Sequence, residues 1–219
     1  MKLFIDIETV PLYRSFDLLS ESDKIIYQKK FGHELENNVP SKHDCFEDHY
    51  KSKAGLFAEF GRIVCVSMGY VIDNKIILKS FCDYNESRLL TSVSESLEKA
   101  TSVVAHNGKN FDYPWLCRRM IVNGIKLPSL LQIQNLKPWE IKLEDTLDMW
   151  RFGQFNHNAS LALMCSLFGI QSPKDGIDGS NIADLFYSDE LDRISRYCEG
   201  DVTALINVYR KLNYQNPII

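Results

Sequence analysis

Phe4-Ile5-Asp6-Ile7-Glu8-Thr9 is the stretch on which the reading of this chain turns. From Lys2 to Ile7 it alternates as a strand does, with Leu3, Ile5 and Ile7 on one face and Phe4 and Asp6 on the other. Residues i and i+2 of a strand share a face, so Asp6 and Glu8 are expected side by side. Two like charges that close repel, and burial sharpens the repulsion. A cation between them would remove it, and hard divalent ions such as Mg²⁺ or Mn²⁺ take carboxylate oxygens. The alternative is a strand end fraying into water with both acids solvated. The pair alone leaves both readings open.

Outward from this stretch, residues 12–60 break the pattern. Leu12 to Phe31 has roughly helical spacing in Phe16, Leu19, Ile26 and Tyr27. Glu34 to Lys53 is polar and contains Pro40, which predicts a loop or lid without a core of its own. His43, Cys45 and His49 match no standard zinc spacing and read as solvated loop residues. Arg62–Val71 and Lys75–Phe81 then form strands around an Asp73-Asn74 turn, a β-hairpin. With the first strand this makes an antiparallel meander. A helix over Glu86–Ala100, a buried strand over Ser102–Ala105 and a further strand within Trp139–Asp145 predict a mixed α/β sheet.

His106-Asn107-Gly108-Lys109-Asn110-Phe111-Asp112 follows the buried strand, where open α/β sheets place their sites. Asp112 opens a helix, Phe111–Asn123, and the helix dipole alone would account for an acid there. Further helices are read at Thr146–Phe152, Ser160–Phe168 and Asn181–Tyr187, and 173–179 is a glycine-rich turn. Ser188 is expected to cap the last helix, whose apolar stripe runs Leu191, Ile194, Cys198, Val202, Leu205, Val208 and Leu212. Tyr197 and Asp201 lie one turn apart on a face bordering that stripe. An acid there is costly unless it is paired or binds an ion, and no basic residue stands at 197 or 205.

The chain has 219 residues, 45% hydrophobic and 25% charged, with a net charge of −4. This suits one α/β domain over 1–219 with an insertion at about 12–60. A nucleic-acid binder relying on bulk electrostatics would be basic, so any such contact here is local. A cluster of metal-binding carboxylates would itself make the count acidic. The six cysteines form no Cys-x-x-Cys pair and read as reduced core residues. There is no membrane-spanning run and Lys2 leads directly into a strand, so a cytoplasmic protein is expected.

Three segments, Phe4 to Thr9, Ala105 to Pro114 and Tyr197-x-x-x-Asp201, together resemble the DEDD superfamily of 3′–5′ exonucleases, in its tyrosine subgroup. Within it the chain is most similar to the proofreading domains of family B DNA polymerases and to stand-alone bacterial proteins like them. Glu144 to Trp150 is also similar to a segment of that group. The resemblance implies a ribonuclease H-like fold, with a mixed five-stranded sheet flanked by helices. It implies two divalent cations, Mg²⁺ or Mn²⁺, with Asp6, Glu8 and Asp201 on one, Asp6 bridging, and Asp112 supporting the other. Tyr197 would orient the attacking water, and Thr9, Asn107 and Phe111 would meet the terminal nucleotide. Phe111 reads equally well as plain core, and His106 as a strand-end polar residue. Lys109, Lys174 and Arg62 are candidates for gripping the strand. The implied substrate is the 3′ end of a single strand, DNA ahead of RNA, with a separate polymerase or repair protein as partner. The rivals are an exoribonuclease of the same superfamily, a catalytically silent binding module, and a phosphatase-like enzyme with a nucleophilic aspartate.

Overall fold

Lys2–Pro11 forms β1, the central strand of a five-stranded sheet. The computed structural model describes residues 1–35, 42–171 and 179–218. The other strands are β2 (Gly61–Ile72), β3 (Lys75–Cys82), β4 (Ser102–Ala105) and β5 (Leu143–Asp145), in the order β3-β2-β1-β4-β5. The first three form an antiparallel meander, while β4 and β5 run parallel to β1. The hairpin turn sits where expected, with Asp73 and Asn74 both at positive φ. The strand within Trp139–Asp145 is only β5, because Trp139 lies 72% exposed outside the sheet.

The helices are α1 (Glu21–Leu35), α2 (Lys42–Lys53), α3 (Glu86–Leu97), α4 (Asp112–Val122), α5 (Thr146–Arg151), α6 (Leu161–Phe168), α7 (Ile182–Tyr187) and α8 (Leu191–Leu212). Alternation along β1 assigns its two faces to different helical layers. Leu3, Ile5 and Ile7 join a cluster with Leu90, Val93, Leu116 and Met120 of α3 and α4. Phe4 points the other way, onto Val202, Leu205 and Ile206 of α8. Asp6 and Glu8 therefore face α8, and the register slips beside them. Glu8 pairs with Cys65 but Thr9 with Ile63, which leaves Val64 as the extra residue of a bulge. Bare backbone at Gly69 brings α8 close to β2: a Cβ there would stand 2.7 Å from Val202 Cγ1.

A buried ion pair ties the layers together. Glu86 accepts two hydrogen bonds from the Arg119 guanidinium, at 2.9 and 2.6 Å, and one from the Ile63 N–H at 2.7 Å. Arg119 also donates to Ala58 O at 3.0 Å. Both side chains are satisfied, so the pair joins α3, α4, β2 and the end of the insertion.

The insertion departs from expectation. In place of a helix followed by a coreless loop, a 3₁₀ turn at Phe16–Leu18 leads into α1, and α2 occupies Lys42–Lys53. Phe16, Tyr27, Phe31, Tyr50 and Phe60 pack with tilted and edge-to-face rings into a small aromatic core. Its residues are spaced too widely in the sequence for a periodicity to show. His49 joins this core rather than standing in solvent, with Nδ1 2.8 Å from the Tyr27 hydroxyl. Cys45 is buried, and the side chain of His43 lies outside the described residues. So do Pro40, Lys174 and nearly all of the 173–179 turn.

Two further corrections are local. Glu190, not Ser188, occupies the N-cap position of α8; Ser188 ends α7. Cys65 and Cys82 are not reduced thiols: they oppose each other in the β2–β3 register, with Cα atoms 4.3 Å apart, and are disulfide-bonded. Their pairing is a property of strand register, which Cys-x-x-Cys spacing does not probe. Cys45, Cys117, Cys165 and Cys198 are free thiols.

Candidate active site

β1, α4 and α8 deliver their acids to one place. Asp6, Glu8, Asn107, Phe111, Asp112, Tyr197 and Asp201 all line a cavity of about 690 Å³. Asp6 and Glu8 lie on the α8 face of β1, Asp112 starts α4, and Tyr197 and Asp201 share one side of α8. Ligand atoms of Asp6, Glu8 and Cys198 lie within 4.8 Å of one another. Thr9, past the bulge, lines an adjoining cavity instead and donates to Gly55 O at 2.6 Å.

The loop 106–111 is held by an acid to which sequence reading gives no role. Asp145, 3% exposed, accepts from the N–H groups of Asn107, Lys109 and Leu147. This lets Asn107 adopt positive φ and begins α5 with a side-chain cap. Its position, an acid between a buried strand and a helix, is the available signal. Gly108 fits beneath the loop because a Cβ there would meet that of Ala105 at 2.4 Å. His106 uses both ring nitrogens, on Thr146 Oγ1 at 2.9 Å and Ala159 O at 2.8 Å, so its role is structural. Burial holds its pKa below the ordinary value.

Cys198 is the other group not foreseen. It reads as part of the apolar stripe, yet its Sγ lies 3.3 Å from Asp6 Oδ2. Of the cations expected to grip a strand, Lys109 pairs with Asp148 at 2.9 Å and Arg62 donates to Tyr84 O beside the Phe186 ring. Neither is directed into the cavity.

Electrostatically the cavity is unfavourable as it stands. Burial, then repulsion from Glu8, Asp112 and Asp201, raises Asp6 well above the usual carboxylate range. Burial, then Asp201 and Asp112, does the same to Glu8. Burial lifts Asp112 to about 7, opposed by hydrogen bonds from its own N–H and that of Ile7. Tyr197 hydrogen-bonds to Asp201, and its phenol is raised by burial first and by Asp201, Glu8 and Asp6 after it. Converging carboxylate oxygens that cannot all ionise together are a donor set suited to hard divalent cations.

A pH dependence follows. In metal-free protein, a carboxyl whose folded pKa is raised contributes stability fully below its unfolded pKa and loses it as pH climbs through the folded one. For Asp112 that window runs from about pH 4 to about 7. Between about pH 5 and 7 the loss is on the order of 3 kcal/mol, roughly 6–12 °C in Tm. Thermal melts in chelator should show this fall, and excess Mn²⁺ at about pH 7 should reverse it. A melting temperature flat over that range in chelator, and unmoved by Mn²⁺ at about pH 7, would contradict a coupled acidic site.

Residues 56–216 match a family described as predicted 3′–5′ exonucleases related to the exonuclease domain of PolB. That match covers well over half of the sequence. The chain belongs to this family. No curated protein matches it. Among solved structures it is similar to the family B DNA polymerase from the hyperthermophilic archaeon Pyrobaculum calidifontis. The TM-score is 0.60 at 15% identity, over 97% of this chain and 24% of the polymerase. It is also similar to E. coli exonuclease I in complex with a dT13 oligonucleotide, with TM-score 0.53 at 12% identity, over 98% of this chain and 41% of that one. At such identities the likeness is one of fold, the ribonuclease H-like sheet of exonuclease domains. The chain spans less than half of either. No helix among the described residues is long and apolar enough to cross a membrane.

Proposed function

We propose that this PolB-type exonuclease-family chain hydrolyses phosphodiester bonds from the 3′ end of single-stranded DNA and releases nucleoside monophosphates. The observation that carries this reading is the convergence of Asp6, Glu8, Asp112 and Asp201 with Tyr197 in one cavity. Asp6, Glu8 and Asp201 would hold one divalent ion, and Asp6 and Asp112 a second. Bound there, such a pair supplies an acidified water and neutralises charge on the leaving oxygen. The protein groups do the positioning. The Tyr197 phenol, raised above its ordinary range, stays neutral and can orient the water through its hydroxyl rather than act as base. The Phe111 ring lines both adjoining cavities and offers the terminal base a stacking face. Thr9 donates to Gly55 O, which leaves its oxygen able to accept from a sugar hydroxyl. Asn107 is held through Asn110, whose amide donates to its Oδ1 at 2.8 Å.

The dT13 oligonucleotide bound by exonuclease I, the fold relative, favours DNA as substrate. A separate polymerase or repair protein would supply the ends. Matched DNA and RNA strands of one sequence, each with Mn²⁺, test this: DNA should be shortened at least about tenfold faster, a difference of about 1.4 kcal/mol in barrier. Faster cutting of RNA would reverse the assignment. In the same assay Tyr197→Phe should lower kcat about ten- to a hundredfold with KM little changed.

A further inference from the structure

The cavity that holds Thr9 extends the carboxylate site toward the insertion, which like Asp6 and Glu8 precedes most of the matched family region. Its volume is about 680 Å³, and it shares Ile7, Glu8 and Phe111 with the acidic cavity, so the two cavities adjoin. One wall comes from the insertion, which contributes Arg14, Lys51 and Ser52; the other comes from α7 and the turn before it, with Ser180 and Tyr187. The family match begins at residue 56, so Arg14, Lys51 and Ser52 fall outside it.

The wall is anchored to the strand carrying the acids. Thr9 donates to Gly55 O, Leu12 N–H to Phe60 O at 2.9 Å, and the Tyr187 hydroxyl to Pro11 O at 2.7 Å. The aromatic core formed by Phe16, Tyr27, Phe31, Tyr50 and Phe60 packs behind it. Arg14 is exposed and lies near enough to oppose the charge of Lys51. Glu47 pairs with Lys51 at 2.9 Å but also accepts from Phe16 N–H at 2.8 Å, and the Lys51 side chain remains 55% exposed. Two cations crowd this wall. Across from them stand Asp184 and Glu8, and Glu8 belongs to the proposed metal site. The chain is acidic overall, so phosphate contacts must be local, and this exposed pair beside the acidic cavity offers one.

We propose that the insertion forms one wall of the substrate groove, with Arg14 and Lys51 contacting backbone phosphates of a single strand next to the bond being cut. This rests on the exonuclease reading. Binding is therefore measured separately from cleavage, with a labelled DNA strand of about 12 nucleotides in chelator. The double variant Arg14→Gln, Lys51→Gln should bind about tenfold more weakly. Its log–log salt slope should be shallower by about 1.4, the change expected when two phosphates of a single strand are no longer neutralised. Lys53→Gln, on the same helix outside the groove, should bind as the unmodified protein does. Cleavage of the p-nitrophenyl ester of thymidine 5′-monophosphate, which lacks the neighbouring phosphates, should be unchanged in the double variant. An unaltered salt slope would overturn the groove. Failure of the unmodified protein to cut either substrate would overturn the exonuclease reading while the binding result still judged the groove.

Discussion

Asp6→Asn should lower kcat by at least about a thousandfold and, in the same protein, stabilise the metal-free fold at neutral pH. The two effects have one cause. Asp6 is the acid on which Glu8, Asp112 and Asp201 all act. In the proposed mechanism it is the shared ligand, so its loss disturbs both ions. Without ions its charge is a burden, because burial and three like charges oppose ionisation. The amide keeps the size and removes the charge. Rates on a labelled strand and thermal melts in chelator check both halves. A variant that is inactive but less stable would point to a damaged fold. A fully active one would remove Asp6 from the mechanism.

Arg119→Met should cost about 3–5 kcal/mol, a drop of roughly 6–20 °C in Tm, although it lies on the far side of the sheet from α8. Arg119 and Glu86 are each 6% exposed, and the substitution leaves Glu86 buried without its guanidinium. Ala58 O loses its donor as well. Adding Glu86→Gln to Arg119→Met should recover part of the loss, since a neutral amide can still accept from Ile63 N–H. Equal stability of the Arg119→Met protein and the parent in chemical denaturation would show that the pair holds nothing together.

How much of this is legible in the sequence depends on whether the signal is local. The alternation in β1 places Leu3, Ile5 and Ile7 against α3 and α4, and it also puts Asp6 and Glu8 on the α8 side. The Asp73-Asn74 turn and the stripe of α8 are equally local. The aromatic core of the insertion is not, because Phe16, Tyr27, Tyr50 and Phe60 meet only in three dimensions. The Cys65–Cys82 bond depends on strand register, and Cys198 hides its contact with Asp6 inside an apolar stripe. Asp145 works by accepting three backbone N–H bonds, a role that composition does not mark. Lys109 meets Asp148, a contact its sequence neighbours do not announce, and Arg14 and Lys51 line the adjoining cavity from an insertion whose core no periodicity reveals.

The most direct test is a time course on a 5′-labelled single DNA strand with Mn²⁺, beside the same reaction in chelator. The expected result is a ladder that shortens one nucleotide at a time from the 3′ end only when metal is present, with nucleoside monophosphates as the small product. Retention of the full-length strand in both reactions, with the protein still bound to it, would contradict the account and leave a binding module in place of an enzyme.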